Sequence, residues 1–192
     1  MDRDHQTTTT AAEPLRRAFV STRAVLATVR AEQLDLATPC ASWDVRALID
    51  HFIGTPRWWA SMVGTGGPPA EDGRGDFLER YDESIGVALA AFGSHGVLDL
   101  KVPLPFGEFS GARMLGMAAA EQFTHGWDLA RAIGYPTDLD PIFAEDLLVQ
   151  SKAVITDSVR GADGVALFGP VVEAPAGACP SDRLAAFLGR SL

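Results

Sequence analysis

The chain has 192 residues, 47% of them hydrophobic and 21% charged, with a formal net charge of −9 and a pI of about 4.8. This is globular composition, and the length suits one compact domain with a substantial buried core. Nowhere do basic residues cluster, which excludes the electrostatic footprint needed for nucleic acid or an anionic membrane surface.

The N-terminal stretch MDRDHQTTTTAAEP lacks the apolar core of a secretory signal. Residues 1–13 therefore read as a polar tail, and residues 14–192 as a single helical domain. No uncharged apolar run approaches the roughly 20 residues of a membrane-spanning helix. Cys40 and Cys179 are far apart and make no disulfide framework, so both read as reduced, incidental thiols of a cytoplasmic protein. Lysine occurs only at Lys101 and Lys152 among 16 basic residues; that bias, with abundant Ala and Gly, suits a high-GC bacterial source.

Helical spacing of Leu15, Phe19, Thr22, Leu26 and Val29 predicts a first helix from Pro14 to about Arg30. After the loop LATPCASW, Ser42 is placed to cap a second helix starting at Trp43, with Val45, Leu48, Phe52, Trp59 and Met62 on one face. The segment from Gly64 to Gly75 is Gly/Pro-rich and reads as a mobile loop. A third helix runs from about Asp76 to Phe92. Alternation of Val97, Leu100 and Val102 before a Pro-Phe-Gly turn predicts a short β-hairpin. Ser110 can cap a fourth helix, whose stripe is Met114, Ala118, Glu121, His125, Leu129 and Ala132, and which ends near Gly134 and Pro136. A fifth helix spans about Pro141 to Val159 and a short one Ser181 to Leu188. The fold class is all-α, four or five helices in one bundle.

The chemistry lies in AEQFTHGWDLARAIG. Glu121 and His125 are four residues apart, one helical turn, so both can reach one ion from an otherwise small and apolar stripe. A carboxylate there is costly unless a metal, a proton or a partner neutralises it. His51, between Leu48 and Thr55 on the second helix, can add a third donor; its plainer reading is a satisfied core histidine. Bundle metal sites draw inward-facing ligands from neighbouring helices, and a His₂Glu set leaves a position open. Trp58 and Trp59, beyond His51, are candidates to line the pocket; Asp128 and Arg131 are candidates to support His125 from behind. Asp44 and Asp50 read as solvated. His5 and His95 have no ligand spacing.

The phrases TPCASWDVRALIDHFIG and AAAEQFTHGWDLARAIGYP resemble the two signature segments of the DinB-like superfamily, in the branch named after the N-terminal domain of mycothiol-dependent maleylpyruvate isomerase. FGPVVEAPAGACPSDRLAAFLGR is similar to the tail of stand-alone, actinobacterial members of that branch. The resemblance implies a DinB-like four-helix bundle with extra C-terminal helices and a short hairpin. It also implies a divalent metal held by His51, Glu121 and His125. Zinc suits those donors, with nickel or ferrous iron as alternatives.

The implied activity is a metal-dependent transferase or isomerase that uses mycothiol, or a similar low-molecular-weight thiol, on a small electrophilic substrate. The second domain of the isomerase itself does not fit within this length, so maleylpyruvate isomerisation is not part of the expectation. Two other readings stand beside it: a hydrolase using metal-activated water, with Asp128 as the one nearby base, and a non-catalytic bundle that metal merely stabilises.

Overall fold

The structure, a computed structural model, describes residues 12–64, 75–104, 107–162 and 165–192. The described residues form six α-helices and one antiparallel hairpin: α1 (Glu13–Leu26), α2 (Val45–Val63), α3 (Phe77–Phe92), β1 (Lys101–Leu104), β2 (Gly107–Ser110), α4 (Gly111–Ile133), α5 (Pro141–Val154) and α6 (Pro180–Phe187). The class is all-α with a hairpin, as the periodicity predicts. Residues 1–11 of the expected tail, most of the Gly/Pro-rich loop, and Pro105 and Phe106 lie outside the described residues, while Glu13, read as the end of the tail, is the first residue of α1.

Several boundaries differ from the sequence expectation, each for a local reason. α1 stops at Leu26 because the Gln33 side chain takes the Arg30 amide at 2.9 Å and starts a separate 3₁₀ turn, Ala31–Gln33. Helix α2 starts at Val45, and its cap is Asp44 rather than Ser42: Asp44 Oδ1 accepts the Ala47 amide at 2.8 Å. Asp44 and Asp50 are both exposed, as read from the sequence; Asp44 also caps the helix, and Asp50 pairs with Arg80 at 2.9 Å. Val97 belongs to a 3₁₀ turn, Val97–Asp99, entered through Gly96 at φ 77°, so the hairpin starts only at Lys101. α5 ends at Val154 because Ile155 is extended, and Asp157–Val159 forms its own turn. Ser110 does cap α4, its Oγ accepting the Arg113 amide at 3.2 Å. Gly134, at φ 72°, ends it.

The fold divides into two compact units, Met1–Ala27 with Ile49–Phe123, and Thr28–Leu48 with Thr124–Leu192. In the first, α1 packs on α3, and Tyr81 takes edge-on contacts from Phe19 and Phe52 at 6.0 and 5.4 Å between centroids. Pro56 lies inside α2. A proline has no N–H, so the Phe52 carbonyl loses its ordinary helical donor. Gln122, fully buried on α4, supplies the replacement: its Nε2 donates to Phe52 O at 3.1 Å and to Thr55 Oγ1 at 2.7 Å. Its Oε1 accepts from Tyr81 at 2.9 Å. A polar side chain thereby repairs the break in the helix that carries His51.

In the second unit, α5 packs on α6, and Trp127 Nε1 donates to Asp182 Oδ1 at 2.8 Å. Ser181 donates to Leu139 O at 2.7 Å. Gly189 follows α6 at φ 91° and lies so close to Gly169 that a Cβ would fall 2.5 Å from its Cα. Only glycine fits there, and the turn it makes delivers Arg190.

Candidate metal centre

His51 lies on α2 ahead of the Pro56 break and Trp59 one turn beyond it; Glu121 lies at mid-length on α4. His51 Nε2 stands 3.3 Å from Glu121 Oε1, with the side chains 29% and 23% exposed. The other carboxylate oxygen, Oε2, accepts the indole N–H of Trp59. Glu121 is thus held from two sides by α2. Trp58, expected beside it, is 46% exposed and meets Trp59 edge-on at 4.7 Å between centroids.

An imidazole nitrogen and a carboxylate oxygen 3.3 Å apart admit two descriptions. One is a hydrogen bond, which carries an ion pair only when His51 is protonated. The other is a shared cation, because donors about 2.0–2.2 Å from a tetrahedral zinc-sized ion stand about 3.3–3.5 Å from each other. The donor chemistry and the separation both fit a divalent metal.

His125 lies one turn past Glu121 on the same uninterrupted helix and is 8% exposed. Its ring is tilted against Trp43 at 5.7 Å between centroids. Its Nδ1 is 3.1 Å from Oδ2 of Asp128, a fully buried carboxylate. Of the two residues singled out behind His125, Asp128 is thus in hydrogen-bond contact with its ring, whereas Arg131 is exposed.

What the sequence does not reveal is how Asp128 is held. Arg190 Nε donates to Oδ1 and Nη2 to Oδ2, both at 3.2 Å, a fork that engages both oxygens. Cys40 Sγ donates to Oδ2 at 3.2 Å, and Arg190 Nη2 lies 3.7 Å from that sulfur. The turn bearing Cys40 is tied by Thr38, whose Oγ1 accepts the Cys40 amide at 3.1 Å and donates to Trp43 O at 2.8 Å. Cys40 is consequently no incidental thiol. Donor atoms of Cys40, His125 and Asp128 lie within 4.8 Å of one another, and the guanidinium of Arg190 takes the place of a cation beside them.

The charges follow from these contacts. Burial raises the Asp128 carboxyl, but the His125 hydrogen bond and the Arg190 charge outweigh it, leaving it below the ordinary carboxylate range. Burial, and then the neighbouring Asp128 charge, push the Cys40 thiol up to about 12. Asp128 is an anion that accepts from Arg190, Cys40 and His125 and is fully buried, so it does not face solvent as a base. Cys40 is a protonated donor, not a nucleophile.

Residues 15–130 match the family described as mycothiol maleylpyruvate isomerase N-terminal domain. Two uncharacterized proteins of Mycobacterium tuberculosis, from strains CDC 1551 / Oshkosh and ATCC 25618 / H37Rv, are each 37% identical over 174 residues, 88% of this chain and 91% of theirs. No solved structure matches. Among the described residues, no helix is long and apolar enough to cross a membrane.

Proposed function

We propose, since this chain belongs to the mycothiol maleylpyruvate isomerase N-terminal domain family, that His51, Glu121 and His125 hold one divalent metal ion with a position left open for a small thiol. The observation that carries the reading is the 3.3 Å approach of His51 Nε2 to Glu121 Oε1, a separation suited to two ligands of one ion. His125 follows at the next turn of the helix bearing Glu121. Zinc is the metal this donor set suits best, with nickel or ferrous iron also compatible.

Each residue has a defined part. His51 and Glu121 supply a nitrogen and an oxygen on the partly exposed side, where a thiol and a substrate can enter. Trp59 occupies the second Glu121 oxygen and leaves the first to the ion. His125 offers Nε2, because Nδ1 is engaged by Asp128. A divalent ion bound there would lower the pKa of a thiol at its open position and so supply a nucleophile at neutral pH. Mycothiol is the thiol the family points to, and a small electrophile the substrate class, in a transfer or an isomerisation.

The hydrolytic alternative requires a base, and Asp128 is committed to His125, Arg190 and Cys40. The purely structural alternative requires a closed site; exposures of 29% and 23% for His51 and Glu121 favour an open one.

The test is elemental analysis of protein reconstituted with zinc, followed by calorimetric titration with mycothiol. One metal per chain is expected, with thiol binding that needs the metal and is lost in His125→Ala. Protein that retains no stoichiometric metal after reconstitution, or turnover of an electrophile without added thiol, defeats the proposal.

A further inference from the structure

We infer that Arg190 and Cys40 are positioning residues for the metal ligand His125, acting through Asp128. The inference rests on the metal-centre reading and adds to it an outer layer drawn from the turn after α6 and the loop before α2.

A histidine ligand is useful only when one ring nitrogen carries the proton and the other presents its lone pair, and the partner of the first nitrogen decides which is which. Here that partner is Asp128 Oδ2, at 3.1 Å from His125 Nδ1. An aspartate carboxylate can rotate about its last bond, so one contact does not fix its plane. The Arg190 fork contacts both oxygens at 3.2 Å, and this two-point grip removes the rotation. Cys40 adds a third donor to the oxygen that faces His125, at 3.2 Å.

All four groups lie within one unit of the fold. Asp128 is fully buried and Arg190 only 15% exposed, so solvent neither loosens nor replaces the contacts. Each is delivered by a separate device: the left-handed turn at Gly189 brings Arg190, and the Thr38 hydroxyl holds the Cys40 turn. Trp127 anchors α6, from which Arg190 extends, to Asp182. A purely structural ion pair would need only Asp128 and Arg190. The orientation of Oδ2 toward a ring nitrogen, with a thiol donor behind it, is the arrangement that holds an imidazole in one tautomer.

The experiment compares wild type with Arg190→Gln by two readouts. The first is affinity for Zn²⁺ and Co²⁺, measured by competition with a chelator. The second is the tautomer of His125 in metal-free protein, read from long-range proton–nitrogen correlation spectra at a pH where the ring is neutral. Wild type is expected to hold the Nδ1–H form. Arg190→Gln is expected to show a mixture of tautomers and an affinity about 10–100-fold weaker, the usual range for losing an outer contact. Cys40→Ser, which keeps a donor, is expected to stay closer to wild type than Cys40→Ala.

If Arg190→Gln does not fold, Asp128→Asn preserves the side-chain size and takes its place, with the same expected loss. Affinity within twofold of wild type and an unchanged tautomer in a folded variant overturn the inference while leaving the metal centre standing. If wild type binds neither metal, the metal reading fails, and the metal-free spectra still decide: equal tautomer populations in the two proteins overturn the positioning role.

Discussion

Trp59 donates its indole N–H to Glu121 Oε2, while the opposite oxygen of the same carboxylate faces His51 at 3.3 Å. One side of Glu121 is thereby occupied by an uncharged donor, and only the other is available to a cation. On the metal-centre reading, a cation held here would meet Glu121 through Oε1 alone.

Trp59→Phe keeps a smaller aromatic ring and removes the donor. The freed carboxylate can rotate, so zinc affinity is expected to fall about 10-fold or more, beside a loss of about 1–2 kcal/mol in the metal-free protein from the smaller ring at a buried position. Competition with a chelator measures the first and denaturant unfolding the second. In wild type, the same contact makes Trp59 a reporter, and tryptophan emission is expected to change on adding zinc; a response that persists fully in Trp59→Phe would count against it.

If the proposed site holds zinc, metal loading should stabilise the fold, because an ion bound by the native state and not by the unfolded chain shifts the equilibrium toward the native state. At 100 times the dissociation constant the gain is about 2.7 kcal/mol, or roughly 5–10 °C in melting temperature for a chain of this size. Scanning calorimetry with zinc and then with a chelator should show the rise and its reversal. His51→Ala should show neither.

Gln122 satisfies the carbonyl that Pro56 orphans and accepts the Tyr81 hydroxyl. Gln122→Ala leaves those buried groups without this partner and opens a cavity, with an expected loss of about 2–4 kcal/mol in denaturant unfolding. Pro56→Ala restores the helical donor, so the combined variant is expected to recover part of that loss. Strict additivity in the double-mutant cycle would refute the link.

Cys40 offers a test of the buried Asp128 cluster by pH. Its thiol is pushed up to about 12, so at pH 8 its thiolate fraction is about three orders of magnitude below that of an ordinary cysteine with a pKa near 8.5. Alkylation of native protein should modify Cys179 well before Cys40, as peptide mapping would show. With its pKa raised in the folded state, the thiol contributes stability that is complete below about pH 8.5 and is lost as pH rises toward 12. Cys40→Ala should lack that alkaline component.

Gly111 begins α4 where a Cβ would stand 1.9 Å from the Val97 carbonyl oxygen. Gly111→Ala must therefore displace backbone, and the gain in helix propensity of about 1 kcal/mol does not offset it. A net loss of about 3 kcal/mol is expected from equilibrium unfolding.

Much of the local architecture was legible from residue order alone. Apolar spacing located α1, α2 and α4, the segments of α3, α5 and α6 were also read as helical, and the Ser110 cap and the Gly134 stop were readable, because capping and left-handed turns depend on residues within a few positions. The four-residue interval between Glu121 and His125 likewise needed only the helical period. Boundaries slipped where a side chain from nearby intervened, as Gln33 does at Arg30 and Asp44 does at Ala47.

Tertiary structure alone decided which oxygen of Glu121 meets His51, that Gln122 mends the Pro56 break, and that Cys40 and Arg190 meet on Asp128. Those last two lie 88 and 62 residues from Asp128, and no periodicity relates them. Contacts at such separations are set by loop closure and packing, in which a buried carboxylate must find donors wherever the chain brings them. By itself, the sequence determined the helices and the one-turn spacing of two candidate ligands. Folding determined how those ligands are held, because orientation depends on donors that only the packed chain brings within reach.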